Sequence, residues 1–80
     1  MWWHYRFMRE ENDAYIYAYS RESKACDGTI IYHKNTKDIE IVKRCKVDEG
    51  ANYYADQQAV ANFLIVVKEN FPKERQVACG

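Results

Sequence analysis

Eighty residues suffice for one domain and leave no room for a second. Twelve basic and twelve acidic residues cancel, so the chain has no long-range field to gather nucleic acid or an anionic membrane, and any such binding would fall to a local patch. With 30% charged residues and a longest apolar run (AVANFLIVV) that Asn62 interrupts, no segment approaches the ~20 apolar residues of a membrane span.

A domain of this length buries about 60–65% of the surface its unfolded chain exposes, so it gains from a disulfide, a metal or a partner subunit. Three cysteines, Cys26, Cys45 and Cys79, lie nineteen and thirty-four residues apart, unlike the close pairs of a zinc knuckle or a redox motif. They read as reduced thiols of a cytoplasmic protein. The first residues lack the basic-then-apolar order of a secretory signal, and Glu10, Glu11 and Asp13 follow at once.

Trp2 to Arg9 is rich in aromatics and predicts a strand. Glu10 to Asp13 is a turn, and Tyr15 to Tyr19 a second strand. SRESKACDG is polar and reads as a loop, while GTIIYHK and DIEIVKR are two further strands around KNT, a hairpin setting. VDEGAN punctuates with Asp48, Gly50 and Asn52. Val60, Phe63, Leu64, Val67 and Phe71 fall on one stripe of the helical period. They predict a helix capped by Asn52 or Asp56 and stopped by Pro72 near Asn70. RQVACG is a candidate short edge strand. The fold class is therefore α+β: a four-stranded antiparallel meander, with room for a short fifth C-terminal strand, and one helix packed on one face, in the order β-β-β-β-α(-β).

Successive strand side chains point to opposite faces, and directly opposed residues share one. Centring the first hairpin between Asn12 and Asp13 sets Phe7 opposite Ala18 and Met8 opposite Tyr17. One face then holds Trp3, Tyr5, Phe7, Ile16 and Ala18; the other holds Trp2, His4, Arg6, Met8, Tyr15, Tyr17 and Tyr19. The second hairpin, centred between Asn35 and Thr36, pairs Tyr32 with Ile39 and Ile30 with Ile41. A single helix covers one face only, so the cleaner apolar rows go inward. A tyrosine-rich outer face remains, and on the helix Ile65 and Val66 sit off the core stripe. The candidate partner-binding residues are Trp2, His4, Arg6, Met8, Tyr15, Tyr17, Tyr19, Ile65 and Val66.

Tyr, Trp, Met and Arg are the residues that protein interfaces enrich, and contiguous exposed apolar patches mark interaction sites. The same face could stack bases while Arg6 or Lys24 meets phosphate, as single-strand binders do. His4 and His33 are isolated from other ligands, unlike the paired neighbours of a zinc site. Cys26-Asp27-Gly28 reads as turn chemistry before a strand rather than a reactive thiol. Glu10, Glu11, Asp13, Asp48 and Glu49 read as solvated loop charges. No phosphate loop, nucleophile elbow or dinucleotide fingerprint occurs, and three glycines offer little for an enzyme pocket.

The expectation is a small non-enzymatic protein-binding module without metal or cofactor, pairing with a protein partner or with itself as a homodimer. Neutral domains of this kind suit an accessory or inhibitor protein that occludes its partner, a phage-type anti-defence inhibitor among them, though no residue carries that last step. The alternative is a single-stranded nucleic-acid-binding protein that uses the tyrosine-rich face.

Overall fold

A computed structural model describes residues 1–48, 50 and 53–78. Strands β1 (Trp2–Glu11), β2 (Ala14–Arg21), β3 (Gly28–His33) and β4 (Ile39–Lys43) form an antiparallel meander. A 3₁₀ turn at Lys46–Asp48, helix α1 (Tyr53–Lys68) and strand β5 (Glu74–Ala78) follow. β5 returns to pair with β1, giving the sheet order β4-β3-β2-β1-β5. The α+β class and the fifth strand are as the sequence predicts, although Cys79 and Gly80 of the tail lie outside the described residues.

Asn12 (φ 50°) and Asp13 (φ 59°) both adopt the left-handed conformation of a two-residue type I′ hairpin turn, which Asn and Asp tolerate better than most side chains. The first turn is therefore centred where expected. The second hairpin also keeps its expected pairs, Tyr32 with Ile39 and Ile30 with Ile41. Its loop closes through Lys37 (φ 63°), whose amide donates to the His33 carbonyl at 2.7 Å.

One irregularity decides which face is which. Next to the turn, Glu10 opposes Tyr15 and Arg9 opposes Ile16, as expected. The register then shifts between Arg9 and Phe7, leaving Met8 as the extra residue of a β-bulge, so that Phe7 opposes Tyr17 and Tyr5 opposes Tyr19. That single extra residue puts Trp3, Tyr5 and Phe7 on the same face as Tyr15, Tyr17 and Tyr19. The expected outer tyrosine face is overturned. Tyr17 and Tyr19 are 0% exposed in the core and Tyr15 is half-buried against it. Ile16 and Ala18, expected inside, share the opposite face with His4 and Arg6.

Helix α1 lays Ala59, Phe63 and Val66 on this merged aromatic row, with the Phe63 ring centred 5.3 Å from Tyr5 and 5.2 Å from Tyr17. Its buried stripe is rotated by roughly a quarter-turn from the expected one. Leu64 is 50% exposed, whereas Val66 is 0% exposed and Ile65 is half-buried against the core. Phe71 lies beyond the helix yet packs on Tyr15 and Tyr32, at 4.1 and 5.0 Å. A Schellman cap places it there: the Phe71 amide donates to the Val66 carbonyl (3.0 Å) and the Asn70 amide to that of Val67 (3.1 Å), with Asn70 at φ 64°. Of the two expected N-caps, Asn52 lies outside the described residues. Asp56 sits within the first turn and is bound by Arg44 at 2.7 Å, so it is no cap.

The hydroxyls explain why tyrosine rather than phenylalanine fills the core, since a buried phenol needs a partner. Tyr5 donates to the Ala59 carbonyl (2.7 Å), Tyr17 donates to the Pro72 carbonyl (2.6 Å), and Tyr19 accepts from the Cys45 amide (3.2 Å). The sheet is thereby pinned to the middle of α1, to its exit and to the segment before it. Asp48, expected as a solvated charge, is instead 1% exposed. It accepts from Arg21 (2.7 Å) and from the Cys45 thiol (3.4 Å), which offsets the cost of burying it. Glu10 and Glu11 end β1 rather than forming a loop.

Candidate binding face of the sheet

The sheet face opposite α1 is built from alternate residues of each strand. β1 supplies Trp2, His4 and Arg6; β2 supplies Ala14, Ile16, Ala18 and Ser20; β3 supplies Thr29, Ile31 and His33; β5 supplies Glu74 and Gln76. Small side chains on the central strand lie between longer ones. Ala14, Ile16 and Ala18 are only 6–8% exposed as a result, so the face carries a shallow apolar trough along β2.

One end of the trough is polar and covered. His4, 3% exposed, opposes Ser20, and its Nε2 lies 2.6 Å from Glu74 Oε2. Arg6 approaches the same carboxylate oxygen at 3.8 Å. Ser20 Oγ donates to the Ser23 carbonyl at 2.5 Å and stands 4.0 Å from Cys26 Sγ, so the loop between β2 and β3 folds over this end. The hydrogen bond from His4 and the charge of Arg6 hold the Glu74 carboxyl below the usual carboxylate range. Burial pushes the Cys26 thiol up, away from the thiolate that a nucleophile requires. His4 Nδ1 has no hydrogen-bond partner among the described residues. At the other end, His33 meets Glu40 at 2.9 Å and Arg9 meets Glu11 at 2.7 Å. Among the described residues no three His, Cys, Asp or Glu side chains converge to hold a metal ion.

The structure brings Trp2, His4 and Arg6 together on this face, and the bulge leaves Met8 54% exposed beside it. It does not bring Tyr15, Tyr17, Tyr19, Ile65 or Val66 there, because all five pack into or against the core under the helix. Ile16 and Ile31, directly opposed at the centre of the trough, belong to the open face. The alternation in YIYAY separates tyrosines from the Ile and Ala between them. The sign of that separation is set by Met8, which has no distinguishing mark in the sequence.

Comparison of the chain with protein-family models, with curated proteins and with solved structures finds no match. No described helix is long and apolar enough to cross a membrane.

Proposed function

We propose that this protein is a small, non-enzymatic protein-binding module of the cytoplasm, of accessory or inhibitor type, which docks a partner on the open face of its sheet and acts by occlusion. The observation that supports this reading is the trough itself. Ile31, only half-buried, opposes the buried Ile16 on its floor, and the 22–27 loop covers the end at Ser20.

Its first occupant is a second copy of the chain. The trough is flanked by charges of both signs, Arg6 and Arg9 against Glu11, Glu40 and Glu74, and the chain is neutral. Two copies meeting face to face can therefore set unlike charges together, where a single-sign surface would repel itself. A domain this small also gains stability by burying an open sheet. The base-stacking alternative loses its platform, since the rings of Tyr17 and Tyr19 lie in the core.

Sedimentation equilibrium tests the reading. Wild type is expected to dimerise in the micromolar range, and Ile31→Glu to run as a monomer with an unchanged circular dichroism spectrum. A wild type that stays monomeric at several hundred micromolar would overturn self-pairing.

A further inference from the structure

The end of β4 carries a feature unrelated to the trough. Cys45 is 0% exposed and its amide is held by Tyr19. With Cys45 turned inward, its neighbours Lys43, Arg44 and Lys46 are left exposed, and with Asp27 they line a cleft of about 310 Å³. A second bulge, at Val42, contributes: Ile30 opposes Ile41, but Thr29 opposes Lys43 instead of Val42. Bulges re-aim side chains in this way beside binding sites.

The charges around the cleft are unevenly committed. Of its three cations, Arg44 has a carboxylate within ion-pair distance, that of Asp56 at 2.7 Å. Among the described residues, neither the Lys43 nor the Lys46 ammonium has one. Arg44 uses Nε and Nη2 on Asp56 and keeps Nη1 free of it. Asp27 Oδ1 accepts from the Lys46 amide at 3.3 Å, which fixes the one acidic wall.

We propose that this cleft binds a phosphate-class oxyanion. Among the described residues the Lys43 and Lys46 ammonium groups have no carboxylate partner, and with the free guanidinium edge of Arg44 they line one cleft, the kind of N–H donor set that a tetrahedral oxyanion takes. The volume lies at the lower end of small-ligand sites, which begin at about 300 Å³. It admits one phosphate group, with any larger substituent left outside the cleft. Asp27 opposes the bound anion, so removing its charge strengthens binding.

The test is an NMR titration of the isotope-labelled wild type at low salt with inorganic phosphate, with oligothymidylate, and with chloride at matched ionic strength. Saturable amide shifts are expected at residues 27 and 43–46 with phosphate and not with chloride. Stronger binding of oligothymidylate at the same amides would assign the natural ligand as a phosphodiester, and weaker binding as a free phosphate or monoester. Lys43→Gln and Lys46→Gln are each expected to weaken binding about tenfold, and Asp27→Asn to tighten it by a similar factor. The carboxamide oxygen introduced by Asp27→Asn would still accept from the Lys46 amide. All three variants are expected to melt like wild type, since Lys43 and Lys46 are exposed and the hydrogen bond at residue 27 is kept. Equal shifts with chloride, no saturation with phosphate, or variants that bind like wild type would each overturn the site.

Discussion

Gly28 shows how closely the residues of the core are fitted. Its strand partner is Tyr19, and a Cβ at Gly28 would stand 2.5 Å from Tyr19 Cε1 and 2.7 Å from the Cys45 amide nitrogen. The ring can swing only by giving up its hydrogen bond to that amide, and the amide belongs to the backbone. Gly28→Ala is therefore expected to cost about 1–3 kcal/mol, as overpacking does, measured by urea denaturation. The tyrosines make a prediction in pH. Burial raises the phenol pKa of Tyr5 and Tyr19, and pushes that of Tyr17 up to about 12. A phenol whose folded pKa exceeds its unfolded value of 10.0 favours the folded state below that value. The advantage is lost as pH rises through the folded pKa, because the unfolded chain ionises first. Stability should therefore fall between pH 10 and about 12 as far as Tyr17 is concerned, with phenolate absorbance appearing together with the loss of circular dichroism. Absorbance that rises fully while the fold persists would place these rings in water. At the helix exit, Asn70 is held at φ 64°. Asn70→Gly is expected to stabilise by up to about 1 kcal/mol, since glycine enters the left-handed region without the Cβ penalty.

At the level of elements, the helix phase and the first bulge are the departures from the sequence reading that reassign the faces. Phe63→Ala should cost about 3–5 kcal/mol, while Leu64→Ala should stay within about 0.5 kcal/mol; a chemical melt of each distinguishes the observed stripe from one centred on Leu64. The periodicity of Val60, Phe63, Leu64 and Val67 located the helix but not its orientation. Ile65 and Val66 make the run apolar on nearly every side, so no narrow stripe stands out. The turns were legible for a plain reason. Asn12-Asp13 names its own conformation, and the second hairpin keeps strict alternation around its loop. The Met8 bulge was not legible, because nothing local demands it. Its advantage is collective: it lets two aromatic rows share one covered face. This gives an unusual expectation for a deletion. Losing one residue inside a strand ordinarily turns every side chain beyond it to the wrong face. Removing Met8 would restore unbroken alternation between Phe7 and Arg9, so the Met8 deletion should fold, with a core fluorescence and melting curve close to wild type. Deleting Arg6 instead can be absorbed only by closing the bulge, which keeps Trp3 and Tyr5 inward but exchanges Phe7 for Met8 in the core, so that variant should fold and melt lower than wild type. Of the candidate face, Trp2, His4 and Arg6 were legible from their common parity; the trough floor was not, since its identity depends on that same bulge.

On the scale of the whole molecule, the decisive feature is that β1 is an interior strand. One side pairs with β2 directly after a two-residue turn, and the other pairs with β5, Trp2 opposite Ala78 and Trp3 opposite Val77. Val77 is 2% exposed and closes the core over Trp3, so Val77→Asp should destabilise the domain severely by burying an unpaired carboxylate. Hydrogen exchange of the β1 amides should then accelerate, whereas those between β3 and β4 should keep more protection. The same arrangement has a consequence for synthesis. On the ribosome, the β1–β2 hairpin can close as soon as it emerges, but the far edge of β1 must wait until residues 74–78 have been translated. Throughout that interval the nascent chain carries a long open strand edge beside Trp3 and Tyr5, an invitation to pair with a neighbouring chain. Slowing elongation after Pro72 would lengthen the interval and raise the aggregated fraction, and a chaperone that shields strand edges would find its client there.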